Sequence, residues 1–155
     1  MDVNAINPIL SAFASIIPQI GFSQIKRKGI KMTGPNLENT GVLVNINVVG
    51  PLKGSILLGM DLEGAKKFAS KMMMGMEVTE MNSMSMSAIS EMSNMVCANA
   101  CILYNEVGIH GLDISPPTML LGEGGQVLLS TPKVIVISFL VDSDIEVVIY
   151  VSLIE

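Results

Sequence analysis

The sequence is poor in the residues that build metal centres, disulfide frameworks and aromatic cores. Its 155 residues include no Trp, two Tyr, four Phe, one His and two Cys. Cys97 and Cys101 lie four residues apart in a predicted helix, and such a pair does not form a disulfide framework. No His or third Cys lies nearby to complete a metal-ligand set. We therefore predict ordinary, partly buried cysteines, and neither a resident metal nor a resident cofactor.

Positive charge is also scarce. Nine Lys and Arg stand against 14 Asp and Glu, which gives a net charge of −5. This balance argues against nucleic acid as the main partner, because phosphate binding needs clustered basic residues. The single basic run, Lys26-Arg27-Lys28, falls in an alternating stretch and is interpreted as a solvated strand face.

Long apolar runs are missing as well. The most apolar run extends from Val134 to Val141 and ends at Asp142. It is far shorter than the ~20 residues of a spanning helix. The first residues, MDVNAINP, place an acid where a signal peptide has basic residues. These features predict a cytoplasmic protein.

The residues that are present suit one globular domain. Half are hydrophobic and 15% are charged, so a sizeable core can form and disorder is not expected. At this length we expect a single domain covering residues 1–155.

The first half of the chain predicts a helix, three strands and a second helix. In NAINPILSAFASIIPQ the apolar residues fall at helical spacing, with Asn7 as a possible cap, Pro8 in the first turn and Pro18 as the stop. Strands are predicted near 22–32, 41–50 and 54–61, the last two as an antiparallel pair. Asp61 is expected to cap a helix that ends at Gly75.

The second half predicts a long helix and about three strands. The helix is expected from about Thr79 to Val107, with Gly108 as its stop. The predicted strands lie around TMLLGE, in KVIVISFL and in IEVVIYVSLI, and a turn at 142–144 separates the last two. Because those two are apolar on both faces, we expect them at the centre of the sheet. The predicted fold is a mixed α/β domain with a largely antiparallel sheet and long helices packed on it.

The long helix divides into two faces at 100° per residue. The predicted buried stripe consists of Ile89, Met92, Val96, Ala100, Leu103 and Val107. The opposite face consists of Ser87, Ser90, Glu91, Asn94, Ala98, Cys101 and Asn105. This second face has one acid, one amide and small residues, whereas a solvated face commonly carries Lys and Glu pairs. From the residues alone, an exposed Glu and Asn remain ordinary.

The spacing on that face matches a known pattern. Ser87-x3-Glu91-x2-Asn94, with Pro116 after 21 further residues, resembles the signature of the CheC/CheX/FliY group of chemotaxis phosphatases. The opening INPILSAFASII is similar to the first helix of CheX-type proteins, and the element order suits their fold. CheC proteins carry two such motifs, but no Glu precedes Glu38 here, so one site per chain is expected, as in CheX.

The resemblance implies an activity and a division of roles. The family removes phosphate from an aspartyl phosphate on CheY-like receiver proteins, with Mg²⁺ supplied by the receiver. Asn94 would orient the attacking water, and Glu91 would pair with the receiver's Lys. Ser87 and Pro116 would shape the site, and Ala98 would leave room for the partner at the docking face. A homodimer is also implied.

Two alternatives to a phosphatase remain open. A non-catalytic module, like the related FliM domain used for assembly, would lack the Glu and Asn, and a third possibility is a purely structural dimer. The Met-rich stretch from Met72 to Met95 is interpreted as flexible core filling or an adaptable contact surface rather than a copper site. We assign no catalytic role to His110, and GEGG at 122–125 is interpreted as a turn because no helix follows it.

Overall fold

The computed structural model describes residues 3–155. The first two residues, which include the acid used above as an argument against a signal peptide, lie outside the described range. A 3₁₀ turn, Val3–Ile6, precedes the first helix. The helices are α1 Asn7–Gln19, α2 Leu62–Met72 and α3 Ser83–Glu106. The strands are β1 Ile25–Thr33, β2 Asn36–Asn39, β3 Gly41–Val49, β4 Lys53–Asp61, β5 Asp113–Ile114, β6 Thr118–Leu121, β7 Gly125–Leu128, β8 Val134–Val141 and β9 Ile145–Ile154.

Seven of these strands form one antiparallel sheet. Its order is β1-β8-β9-β4-β3-β5, and β6 pairs with the same strand, β3, as β5 does. The predicted mixed α/β fold with a largely antiparallel sheet is therefore confirmed. The hairpin of β8 and β9 lies in the middle, between β1 and β4, which confirms the central position predicted from its apolar sequence.

The helices cover one face of this sheet. Alternate residues of each central strand point toward them, for example Val44 on β3, Leu58 on β4 and Ile137 on β8. These side chains join the buried faces of α1, α2 and α3 in one large core. Within the described residues, no helix is both long and apolar enough to cross a membrane.

A small second sheet, which the sequence did not predict, lies against the other face. Strands β2 and β7 pair with each other, and Leu37 of β2 packs with Leu43 and Leu57 of the main sheet. Both strands have four residues, and the sequence NLEN carries a single apolar side chain. Such short, polar segments give little periodic signal.

Two helix starts differ from their predictions. Helix α1 begins with Asn7 already inside the helix, and the cap residue Ile6 makes no side-chain capping bond, so the predicted Asn7 cap is wrong. Pro8 lies in the first turn as predicted, and the helix ends one residue after Pro18. Helix α3 begins at Ser83, not near Thr79, because Asn82 and Ser85 form a reciprocal capping box that fixes the start there.

Other predicted boundaries agree more closely with the structure. Asp61 caps α2 as expected, since its Oδ1 accepts a hydrogen bond of 2.6 Å from the Gly64 N–H. Helix α2 ends at Met72, slightly before the predicted Gly75, and Met74 and Gly75 follow with positive φ. The GEGG segment forms the turn between β6 and β7, as predicted.

The buried stripe of α3 is confirmed at its start and wrong at its end. Ile89, Met92, Val96 and Ala100 are all buried. Leu103 is only half-buried and Val107 is 67% exposed, whereas Tyr104 is buried in their place. The Tyr104 hydroxyl donates a 2.6 Å hydrogen bond to the carbonyl of Ala5, which ties the end of α3 to the 3₁₀ turn before α1. Val107 follows the last helical residue and no longer faces the sheet.

Asp142 ties three parts of the fold together. It lies in the turn between β8 and β9, and its Oδ1 accepts backbone hydrogen bonds of 2.9 Å from Ser23 and Gln24, which lead into β1. Lys71 of α2 lies 3.2 Å from its other carboxylate oxygen. The hydrogen bond with the Gln24 backbone, followed by those from Ser23 and Lys71, lowers the pKa of Asp142 below its usual value.

We expect Asp142→Asn to reduce stability near neutral pH but not in strong acid. Asn retains one acceptor and tolerates the positive φ of this position, so the loss is the charge-assisted part, about 1 kcal/mol. Because the folded-state pKa is lowered, the carboxylate stabilises the fold above its ordinary pKa of 3.8 and loses that effect as the pH falls through the lower folded value. Urea unfolding at several pH values measures this. An equal difference at all pH values would contradict it.

Candidate functional site

The exposed face of α3 carries the predicted motif. Ser87, Glu91 and Asn94 follow one another at roughly one-turn intervals, so they lie on the same side of the helix. Ser87 and Glu91 are exposed, and Asn94 is half-buried. The structure thus places these three predicted residues side by side, on the side of the helix away from the core.

The helix that presents them is firmly anchored. Its first turn is closed by the Asn82–Ser85 capping box. Ser93, next to Asn94 in the chain, is fully buried, and its hydroxyl donates a 3.0 Å hydrogen bond to the Ile89 carbonyl. The buried Ser93 hydroxyl is therefore satisfied within the helix, and the packed helix sets the position of the Asn94 backbone.

The pairing of strands β5 and β6 with β3 brings Pro116 close to the motif on α3. Strands β5 and β6 both pair with β3, and the short segment between them carries Ser115, Pro116 and Pro117. Ser115 is held on both sides by Asn47 of β3. The Ser115 N–H donates to the Asn47 carbonyl at 2.9 Å, and the Asn47 N–H donates to Ser115 Oγ at 2.9 Å. These bonds fix the proline segment beside α3.

The helix and the proline segment enclose a shallow pocket of about 560 Å³. Its walls include Ser87, Glu91 and Asn94 from α3 and Pro116 from the facing segment. The structure therefore brings together four of the five predicted site residues. Ala98 is half-buried one turn beyond Asn94 and does not line this pocket.

Further pocket residues were missed by sequence reasoning. Ser90 belonged to the predicted polar face without a role, and Ile114, Ser115 and Pro117 were not considered. The paired prolines after Ser115 were the available signal, since two residues without a backbone N–H mark a segment that cannot continue a β-ladder.

The side chains of Glu91 and Asn94 are free to meet a partner. Among the described residues, neither the Glu91 carboxylate nor the Asn94 amide makes a hydrogen bond or ion pair within the protein. Both therefore project into the open pocket with their hydrogen-bonding groups available.

Comparison with known proteins assigns the family. A family model described as chemotaxis phosphatase CheX matches residues 42–140. The CheY-P phosphatase CheX of Thermotoga maritima is 31% identical over 124 residues, which cover 79% of this chain and 78% of that protein. The chain belongs to the CheX family. The family resemblance drawn from the motif is thereby confirmed.

Solved structures agree in fold with this CheX-family chain. A CheC-like superfamily protein from Shewanella sp. PV-4 superposes with a TM-score of 0.87 at 21% identity, over 100% of both chains. A CheX-CheY-BeF3-Mg²⁺ complex from Borrelia burgdorferi gives a TM-score of 0.74 at 22% identity, covering 99% of this chain and 100% of that chain. At such identities the likeness shows a shared fold.

The cysteines near the motif are suited to packing rather than chemistry. Cys97 is buried and Cys101 is half-buried, and both are free thiols. Burial, with a smaller effect of Cys101, raises the pKa of Cys97 to about 12. Burial and the nearby Asp113 also raise the pKa of Cys101. The raised pKa values disfavour the thiolate, which is the nucleophilic form of cysteine.

The remaining polar candidates lie outside the pocket. The ring of His110 contacts the amide oxygen of Asn105 just past the end of α3. Lys26, Arg27 and Lys28 are exposed on β1, as predicted for a solvated strand face. Lys28 pairs with Glu146 across the sheet surface at 2.7 Å.

We expect substitutions on the two sides of α3 to affect stability to very different extents. Asn94→Ala should change the free energy of unfolding by about 0.5 kcal/mol or less, because the amide makes no bond within the described protein. Met92→Ala, two residues away and fully buried, should cost roughly 2–5 kcal/mol through the cavity it leaves. Chemical denaturation of both variants measures the difference. Comparable losses would show that Asn94 has a structural role.

Proposed function

We propose that this protein dephosphorylates a CheY-like receiver protein by hydrolysing the aspartyl phosphate, and that residues 1–155 act as one phosphatase domain. One observation carries the proposal: Glu91 and Asn94 lie one turn apart, unengaged within the described protein, over a shallow pocket bounded by Pro116. Family membership supports the reaction class, since the Thermotoga relative is a CheY-P phosphatase. The Borrelia complex, which joins CheX with CheY, BeF3 and Mg²⁺, supports the partner.

In the proposed reaction, water attacks phosphorus in line with the departing aspartate. The new oxygen–phosphorus bond forms as the bond to the aspartyl oxygen breaks, the aspartate leaves as a carboxylate, and both protons of the water end on inorganic phosphate. Phosphoryl transfer depends mainly on positioning and electrostatics, so a helper protein can act through one well-placed group. Mg²⁺ held by the receiver would neutralise charge on the phosphoryl oxygens.

The Asn94 amide fits the water-positioning role. Its oxygen can accept a hydrogen bond from the water, which turns a water lone pair toward phosphorus, and its NH₂ can donate to a phosphoryl oxygen. A carboxylate in this place would repel the phosphoryl group. Asn94 is half-buried on a packed helix, so little of its freedom needs to be lost when the partner arrives.

Glu91 fits a docking role. It is exposed one turn before Asn94, and an anion there can pair with a Lys of the receiver. Such a pair would fix the register of α3 over the phosphorylated aspartate. Ser87 and Pro116 bound the pocket and would set its shape, while the small side chain of Ala98 would leave room for the receiver beyond Asn94.

The direct test is release of phosphate from a phosphorylated receiver, with and without this protein. Faster release in its presence is expected. A non-catalytic binding or scaffolding module would bind the phosphorylated receiver without changing the rate of release.

Asn94→Ala should lower kcat by roughly 10²-fold while the complex still forms. The reason is that the amide acts on the water, which matters chiefly in the transition state. Dephosphorylation at saturating enzyme measures kcat, and binding to a receiver loaded with beryllium fluoride, a phosphoryl mimic, measures the complex. Wild-type turnover in this variant would remove Asn94 from the mechanism.

Glu91→Ala should weaken association, and the remaining binding should depend less on salt because an ion pair has been lost. The kcat can fall as well if the same Lys contacts the phosphoryl group. Titrations of the loaded receiver at several ionic strengths measure the effect, and Glu63→Ala, on α2, serves as a control for the loss of one exposed acid. An unchanged affinity and salt dependence would contradict the role of Glu91.

We also propose a homodimer, with β1 as its candidate interface. This nine-residue strand forms an edge of the main sheet, with Ile30 and Met32 exposed along it. Its basic residues would oppose pairing with a second copy, so the dimer should tighten as salt screens their repulsion. Sedimentation at tens of micromolar protein and several salt concentrations tests this. Monomer under all of these conditions would exclude it.

A further inference from the structure

Helix α3 exposes two large apolar side chains within Ser83–Glu106. Met84 is 58% exposed and Ile102 is 59% exposed. Single exposed apolar residues are common on protein surfaces and need no explanation. Their placement on this helix is what distinguishes them.

Both residues lie on the same side of the helix as Glu91. Met84 precedes Glu91 by two helical turns, and Ile102 follows it by three. At 100° per residue each projects within about 20° of the Glu91 direction. The core stripe of Ile89, Met92 and Val96 lies on the other side of the helix, so neither exposed residue can serve the fold by packing there.

The distance between them matches a domain-sized partner. At 1.5 Å per residue, Met84 and Ile102 are separated by about 27 Å along the helix axis, close to the diameter of a small domain. Glu91 and Asn94 lie inside this interval, and Glu91 is the single charged residue of α3 between the two apolar ends. Depletion of charge together with large apolar side chains is typical of the buried part of protein interfaces.

We propose that Met84 and Ile102 are docking contacts for the receiver domain, one on each side of the Glu91–Asn94 pocket. The inference rests on the proposed function and adds the residues that supply apolar contact area. It commits to one occupant, a single receiver domain with apolar surface on both sides of its phosphorylated aspartate. Glu91, which lines the pocket, lies between the two contacts, and their separation suits one domain seated across it.

The test compares matched polar substitutions. M84S and I102S, singly and together, remove exposed apolar area without touching the core. V107S is the control just past the end of the same helix, where the side chain is 67% exposed and lies on a different side of the helix from Glu91. L128S is the control on the ribbon that lies on the opposite side of the sheet, where the side chain is 74% exposed.

Two quantities separate docking from chemistry. Each single substitution should raise both KM for the phosphorylated receiver and Kd for the beryllium fluoride-loaded receiver by roughly fivefold to tenfold, and the double substitution should raise them further. The kcat should stay within about twofold of wild type, because Asn94 is untouched. V107S and L128S should leave KM, Kd and kcat at their wild-type values.

The outcomes distinguish this inference from the proposed function. An active wild-type enzyme whose KM and Kd are unchanged in the double variant would overturn the docking contacts alone. A wild type that binds the loaded receiver without hydrolysis, with binding weakened in the double variant, would overturn the proposed activity and support the contacts. Loss of a dimer in sedimentation, with Kd for the receiver unchanged, would assign the surface to a second copy and overturn the inference.

Discussion

The attachment of helix α3 to the sheet is the constraint on which the site depends. One side of the helix is buried through Ile89, Met92, Val96 and Ala100, which leaves it no freedom to rotate about its axis. The side chains on the opposite side therefore point in fixed directions. A functional group held on a packed helix is positioned more accurately than one on a loop, and reactions that depend on positioning gain most from this.

The same constraint makes the site an open one. The chain presents two unengaged polar side chains over a shallow pocket, and no lid or deep cleft surrounds them among the described residues. Such a surface cannot exclude water or enclose a small substrate by itself. It is suited to a substrate that is itself a folded protein, which would complete the enclosure and bring most of the catalytic groups. The proposed division of roles, in which this chain contributes little more than Asn94 and Glu91, follows from that geometry.

The sequence predicted the features that depend on local periodicity. The central β8–β9 hairpin, the Asp61 cap and the polar face of α3 were all predictable from spacing and residue type. Errors occurred where a stronger local or tertiary interaction competed. The Asn82–Ser85 box starts α3 at Ser83, later than the predicted start near Thr79. Tyr104 replaces Leu103 and Val107 in the core because its hydroxyl reaches the Ala5 carbonyl in the turn before α1.

The closeness of Pro116 to Asn94 could be predicted only through the family motif. It depends on two short strands that share β3 as a partner and on hydrogen bonds between Ser115 and Asn47, 68 residues apart in the chain. Periodicity within a window of the sequence carries no information on such pairings. For the same reason the β2–β7 ribbon was missed.

The insertion of the β8–β9 hairpin between β1 and β4 has a consequence for biosynthesis. Ile25 of β1 pairs with Val141, and Gly59 of β4 pairs with Val148, so the two strands that flank the hairpin pair with residues that are translated much later. Until that hairpin emerges from the ribosome, the nascent sheet is split in two and its apolar helices have no complete surface to cover. Folding dominated by such distant pairings is slow, and it leaves strand edges exposed until the hairpin is complete.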